Sequence, residues 1–526
     1  MLTLEEGLRV RNGRQGCPGT VRFVGTLHGR EGHWAGVEWD DPERGKHDGT
    51  LDGISYFKCI KNGTPASFVR VDKLDTGVSL GLALRDRYES FEESPEAQGD
   101  RTENFGKVYG AEKLAERQSL KNLKVASLRF VGVFGVRMAG NDHGGDAAAE
   151  LSAACPVLEE LDLSGNLLSS WAQVAEVADC LPSLRALNLT GNVLRPTGST
   201  LPRSHGMAQL SVLVLNSTGV SWEQICRVGP AMTNLRELHL NGNGITSLAA
   251  APAEALCLLR HLSLEDNELS DWGGVESAVG ELPRLERLHL SGNCLPAVHP
   301  PKGDHEWRCL KAITLGRNRI GSWSSIDALD RFPSLGELRL SGNPLLEGAR
   351  SGGRFEVIAR VAKLELLNGS KVTRRERQDA ELRYLRTVWG ELQSQDAHSR
   401  AEVEDANPRL AELLERHGPM SSAAAGPDNA GGSLASQMVQ VNLTCVAAKA
   451  GPSMGTKPKK LPGTTTVAQL RSLCSVLFKL DPEEVGLYLR FSPEAVPEAI
   501  AGDDSTPIEH FCSMDGLEII VSDSVG

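Results

Sequence analysis

One pentapeptide sets polar chemistry among glycines: Gly45-Lys46-His47-Asp48-Gly49. Glycines let a ligand approach the backbone closely, and a lysine offers a full charge to carboxylates. Trp34, Phe57 and Phe68, in the same block of chain, can supply an apolar slot for a terminal ring. This is recognition chemistry rather than catalysis. The competing assignment places the three rings in the core of a small barrel, where aromatic residues of small domains are commonly buried.

A second candidate set is His239, His261 and His289 with Arg287 and Arg339, which recur at outward positions of repeated short strands. His239 and His289 lie two strands apart, roughly 10 Å at ordinary sheet spacing. That is too far to ligate one metal unless His261 reaches between them, so the set reads as a protein-docking face with no metal. The Gly-rich stretch from Ala139 to Gly145 lacks the Gly-Lys-Ser/Thr ending of a phosphate loop and reads as a turn. No nucleophile and base pair, metal cluster or nucleotide loop stands out, which points to a binding protein that is not an enzyme and needs no cofactor.

The strands that carry the second set come from a phrase that occurs eight times between Leu158 and Leu345, first as Leu158-Glu-Glu-Leu161-Asp-Leu163-Ser-Gly-Asn166. It returns around Asn192, Thr218, Asn243, Asn267, Asn293, Asn318 and Asn343, at steps of 26, 26, 25, 24, 26, 25 and 25 residues. This is the leucine-rich-repeat pattern. Leucines two apart share one face of a short strand, so stacked phrases bury them against their neighbours, and the asparagine amide can satisfy backbone where the chain leaves the strand. A curved solenoid lined by a parallel sheet is expected. Its central outward column reads Asp162, Asn188, Val214, His239, Ser263, His289, Thr314, Arg339. The adjacent column reads Glu160, Ala186, Val212, Glu237, His261, Arg287, Ala312, Glu337. Trp171, Trp222, Trp272 and Trp323 follow every second phrase and are expected to pack over the leucine core. Val125, Leu128, Phe130 and Val133 read as a degenerate first repeat that seals the apolar end, and Leu364 to Glu381 resembles the helical cap of intracellular leucine-rich arrays.

Length and charge frame these assignments. At 526 residues the chain calls for two to four domains. Its 56 basic and 68 acidic residues, net -12, argue against a nucleic-acid binder and leave no basic field for a membrane surface. No apolar run reaches the roughly 20 residues that a bilayer requires, and no signal peptide opens the chain. Eleven scattered cysteines without a Cys-x-x-Cys read as reduced thiols of a cytoplasmic protein.

Gly19-Thr-Val-Arg-Phe23-Val-Gly25, Gly32-His-Trp34-Ala-Gly36-Val-Glu-Trp-Asp40 and the pentapeptide, followed by Tyr56-Phe57-Lys58-Cys59 and Phe68-Val69-Arg70, resemble a CAP-Gly domain. The resemblance implies a groove for acidic C-terminal tails with a terminal aromatic, such as the Glu-Glu-Tyr of α-tubulin. Trp34, Gly45, Lys46, His47, Asp48, Gly49, Phe57 and Phe68 would then be its peptide-binding residues. His47 stands where that family commonly has asparagine; it keeps a hydrogen-bonding side chain and adds a group able to sense pH.

Further along, Leu80 to Glu93 reads as a helix, Glu381 to Leu414 as helix broken near Asn407-Pro408, and Gly418 to Ser436 as a flexible tether. After it, Val439 to Cys445 alternates as a strand, Val467 to Leu477 has helical spacing, and Val485 to Phe491 and Leu517 to Val521 read as strands. This order resembles the ubiquitin-like β-grasp fold. Lys457, Lys459 and Lys460 read as a solvated basic turn, and the end at Gly526 lacks a diglycine pair, which argues against conjugation.

The expected organisation is multidomain: residues 1–75 a small all-β CAP-Gly barrel, 76–119 a helical connector and 120–385 an α/β leucine-rich-repeat solenoid with caps. A helix and linker at 386–436 and an α+β ubiquitin-like domain at 437–526 complete it. This order closely resembles the tubulin-folding cofactor E family. The resemblance implies a cytoplasmic, cytoskeleton-associated chaperone that binds α-tubulin and works with other tubulin-folding cofactors to assemble or dissociate the α/β-tubulin heterodimer. Two other classes share parts of the pattern: a microtubule tether would use the first domain, and a ubiquitin-pathway or proteasome adaptor would use the last.

Overall fold

The computed structural model describes residues 4–13, 16–89, 119–136, 147–195, 204–250, 256–303, 307–347, 353–394, 397–418, 438–446, 455–462, 465–481, 485–490, 497–500, 508 and 517–523. They fall into two compact units, Met1–Asn267 with Ser277–Leu285, and Glu268–Glu276 with Glu286–Gly526. The expected turn at Ala139 to Gly145 lies outside the described residues, as does the tether beyond Gly418.

The first unit opens with an antiparallel sheet in the order Ala66–Arg70, Arg30–Trp39, Pro18–Leu27, Arg9–Asn12, Leu74–Asp75. Alternation gives it two different faces. Val10, Val21, Ala35, Val37 and Trp39 are buried together as its core. A register irregularity between Val21 and Phe23 pairs Val21 with Val37 but Phe23 with Gly36, which turns Phe23 to the opposite face. Arg11 ties the sheet to the next stretch of chain: its guanidinium bonds Asp75 at 2.7 Å and the Phe130 carbonyl at 3.3 Å. Val78–Ser79 runs parallel to Val133–Gly135, and the Val78 amide donates to the Gly132 carbonyl at 2.9 Å. The helix after it spans Leu80–Tyr88, capped by the Ser79 hydroxyl, and ends at Glu89, so within the described residues it is shorter than its sequence pattern suggests.

Repeat strands of three residues pair in parallel with their sequence neighbours, and the register sets Asp162, Asn188, Val214, His239 and Ser263 side by side. Between the two outward positions sits a fully buried leucine: Leu161, Leu187, Leu213, Leu238 or Leu262. The asparagines after the strands hold the turns. Asn192, for example, donates to the Leu163 and Leu189 carbonyls at 2.9 Å each and accepts from the Leu168 amide at 3.2 Å. The residue before each such position is left-handed, at Gly165, Gly191, Ser217, Gly242, Asp266, Gly292, Arg317 and Gly342. This is why glycine recurs there.

The first, degenerate repeat is out of phase with its expected reading. Its inward residues are Leu123, Ala126 and Leu128, with Ala126 paired to Leu161, whereas Val125 and Phe130 are 57% and 67% exposed. Val125 points outward because it is the neighbour of the inward position, and Phe130 falls on the left-handed turn. Trp171, Trp222 and Trp272 each begin a helix over the leucines and are buried, while Trp323 begins the fourth and is half-buried. Ser170 with Gln173, and Ser221 with Gln224, form capping boxes that start two of these helices.

In the second unit, strands Arg287–His289, Ala312–Thr314, Glu337–Arg339 and Leu366–Leu367 continue the parallel pattern, and Ser370–Lys371 closes it antiparallel. Helices Gly353–Arg360, Arg374–Ser394, Ala397–Asp405 and Leu410–His417 cover this end. The chain breaks at Asn407-Pro408, where the buried Asn407 side chain accepts from Arg360 at 3.1 Å and Tyr384 at 2.6 Å.

The C-terminal sheet has the order Gly455–Pro462, Met438–Cys445, Leu517–Ser522, Gly486–Arg490, Glu498–Ala499, with the two central strands parallel. Helix Val467–Phe478 packs Val467, Leu470, Cys474 and Phe478 on it, which is the β-grasp arrangement. Lys457, Lys459 and Lys460 do not form a turn. They lie on the edge strand Gly455–Pro462, where Lys457 donates to the Leu477 carbonyl at 3.1 Å and sits over the Phe478 ring. Lysine and proline are what an exposed edge strand tolerates, so composition alone mimics a turn.

Candidate functional site

Three strands present their non-core face as a platform. Phe23, Gly36 and Phe68 stand in one row across them, and Gly25, Trp34 and Arg70 in the next. Phe57 lies on the bare Cα of Gly36, where an added Cβ would come within 2.2 Å of its ring. Tyr56 and Phe23 close the cluster, with ring centroids 5.3 Å and 6.1 Å from Phe68. Phe57 is 5.7 Å from Phe68, edge to face. All of these rings are half-buried and lie away from the core residues of the sheet.

The pentapeptide runs along the edge of this platform, clamped by its backbone to Ala66. Lys46 and His47 amides donate to the Ala66 carbonyl at 2.7 Å and 3.2 Å, and the Ala66 amide returns to the His47 carbonyl at 3.0 Å. Gly45 backs onto Thr64, leaving no room for a Cβ, and Gly49 is left-handed with its Cα against the Phe57 carbonyl. His47 stacks on Phe68 at 4.6 Å between centroids and accepts from the Gly49 amide at its Nδ1, 3.1 Å away. Burial lowers the imidazole pKa below its ordinary value, against the opposing pull of Asp48. Asp48 is exposed, and hydrogen bonds from Thr50 hold its carboxyl below the usual range. Lys46 is exposed beside them.

A buried carboxylate fixes the loop that carries Phe57. Glu38 accepts from the Ile60 and Lys61 amides at 2.8 Å each and pairs with Arg22 at 2.7 Å. Cys59 donates to the Asp48 carbonyl at 3.2 Å, and its thiol pKa is pushed up to about 11, first by burial and then by Glu38 and Asp48.

The structure therefore brings together Lys46, His47, Asp48, Phe57 and Phe68. Trp34 shares their face one row away, where its ring lies under Arg70 at 5.2 Å and its indole donates to the Glu31 carbonyl. Phe23 and Tyr56 are added to the set; sequence reading missed them as site residues because their contacts arise from strand register.

The repeat-face residues engage one another within the sheet. In the first unit, Glu237 lies 2.7 Å from His239 and 3.7 Å from His261. In the second, Arg287 reaches over the small Ala312 to Glu337 at 3.0 Å, Arg339 lies 3.9 Å from the same carboxylate, and His289 is 3.4 Å from the Thr314 hydroxyl.

Residues 6–74 match the CAP-Gly domain family and residues 233–295 the leucine rich repeat family. Tubulin-folding cofactor E of Arabidopsis thaliana is 35% identical, the similarity covering 93% of this chain and 92% of that protein. Tubulin-specific chaperone E of Danio rerio is 32% identical over 99% of each chain, and that of Homo sapiens 32% identical over 88% of each. The chain belongs to the tubulin-folding cofactor E family. In this cofactor E family member the CAP-Gly match spans the whole platform and its pentapeptide, from Phe23 to Arg70. Among the described residues no helix is long and apolar enough to cross a membrane.

Proposed function

We propose that this cofactor E family member is a non-catalytic tubulin-folding chaperone whose first domain holds the acidic, aromatic-ended tail of α-tubulin. Lys46 meets the tail carboxylates, and the terminal ring enters the slot formed by His47, Phe57 and Phe68. The repeat array contacts the body of α-tubulin through His239, His261, His289, Arg287 and Arg339, and the chain acts with other tubulin cofactors in assembling or dissociating the α/β heterodimer.

The observation that carries this reading is the placement of half-buried aromatic rings on the sheet face opposite the core, beside an exposed lysine. A core role would bury them; a ring slot leaves them partly open. The test is titration of the full chain with a fluorescent peptide ending in Glu-Glu-Tyr and with the same peptide lacking the tyrosine. Tighter binding of the first is expected, and equal binding would sink the ring slot. Mixing the protein with tubulin heterodimer and following which subunit stays bound decides the chaperone step.

A further inference from the structure

The cap of the repeat array contains a recess of about 440 Å³, a size that suits ligand pockets. The turn Ala362 to Glu365, the start of helix Arg374–Ser394 and the end of helix Leu410–His417 enclose it. Its floor is apolar, with Leu364 and Val372 buried. Its walls carry four full cations, Lys363, Arg374, Arg377 and Arg416, against two carboxylates, Glu365 and Glu381.

Those carboxylates do not cancel the field. Glu381 is almost wholly buried and already holds Arg416 at 2.9 Å, His417 at 2.7 Å and Arg409 at 3.7 Å. A helix start carries a partial positive charge that a first-turn carboxylate usually offsets. Here that carboxylate, Glu376, is buried and pairs with Arg354 at 2.7 Å. Arg377 is fixed by donating to the Ile358 and Val361 carbonyls at 3.1 Å each, which makes the wall rigid. Arg374 is exposed and makes no side-chain hydrogen bond or ion pair with a described residue. A helical cap needs a polar exterior; it does not need an unpaired arginine beside an apolar-floored hollow.

We infer that this recess binds an acidic peptide segment, with carboxylates on Arg374 and Lys363 and an aliphatic stem on Leu364 and Val372. It would be a second carboxylate-reading site, independent of the first domain and of any terminal aromatic.

The experiment uses the full chain with Lys46→Ala as background and a labelled hexaglutamate peptide, blocked at its C-terminus, followed by anisotropy. Adding Lys363→Glu and Arg374→Glu should weaken binding at least tenfold while thermal unfolding is unchanged, since both side chains are exposed. Arg374→Ala alone should weaken it several-fold, which guards against a folding defect in the double reversal. Equal binding by background and reversed variants overturns the site, as does inorganic phosphate bound as tightly as the peptide, which would leave only a simple anion site. The tyrosine-ended peptide on a chain with Lys46 intact reports on the first domain separately, so either site can fail without the other.

Discussion

Gly36 and Phe57 are complementary across the first sheet: the ring of one occupies the volume that a Cβ on the other would need, 2.2 Å from Cε1. Gly36→Ala should therefore lift Phe57 off the platform. Overpacking of this kind costs about 1–3 kcal/mol. A lowered melting temperature and at least tenfold weaker binding of the Glu-Glu-Tyr peptide are expected, by calorimetry and anisotropy. Retained peptide affinity would remove Phe57 from the slot.

Lys46 is exposed, so its substitution should leave the fold alone and act on the ligand. Lys46→Ala should weaken the same peptide about fivefold, corresponding to roughly 1 kcal/mol for a surface charge contact. Its affinity should also depend less on salt than wild type. Equal affinity at low salt would mean that the tail carboxylates lie elsewhere.

His47 makes the first domain acid-sensitive. Burial depresses its folded-state pKa below the ordinary value, so its neutral form is the one the fold favours. The stability it contributes is present above the unfolded pKa and is lost as pH falls through the lower folded pKa. His47→Asn should thus show a smaller fall in melting temperature between about pH 7 and pH 5 than wild type, given an ordinary imidazole pKa near 6.5. An NMR titration of the ring gives the direct check: a midpoint at or above the ordinary value contradicts the burial argument.

The repeat strands were legible because a three-residue strand has one inward residue and two outward neighbours. Each predicted outward pair, such as Glu237 with His239, stands where alternation puts it. Phase failed in the degenerate repeat, where the small Ala126 takes the inward position and the larger Val125 and Phe130 suggest themselves instead. The edge strand with Lys457 was missed because its structure comes from pairing with Met438–Cys445, which its own composition does not announce. The same holds for the site. Lys46 to Asp48 could be read locally, but the meeting of Phe23, Tyr56 and Phe68 depends on a register irregularity and a long loop.

The tryptophan row should divide by burial. Trp222 is 1% exposed and its indole donates to the Ala249 carbonyl at 2.7 Å. Trp222→Ala should cost about 3–5 kcal/mol, as for other large core truncations. Trp323, half-buried with Arg360 over its ring at 5.2 Å, should cost clearly less. Urea unfolding of both variants tests the order, and a reversed order would contradict the assignment of the row to the core.

Arg360 holds the cap by charge as well as by packing. It is buried between the Trp323 and Tyr384 rings, donates to both Asp327 oxygens at 2.9 Å and to Glu356 at 3.2 Å, and reaches Asn407 at 3.1 Å. Burial raises the pKa of Asp327 and of Glu356, and Arg360 opposes that rise. Arg360→Met keeps much of the volume but strands both carboxylates, so about 3–5 kcal/mol should be lost near neutral pH. Without the arginine both carboxyls have folded pKa values above their unfolded ones, so the folded state binds protons more readily and stability rises as pH falls through that range. The deficit relative to wild type should shrink between about pH 7 and pH 5, which sits just above ordinary carboxyl values. An equal deficit at both pH values would mean that water, rather than Arg360, solvates the two carboxylates.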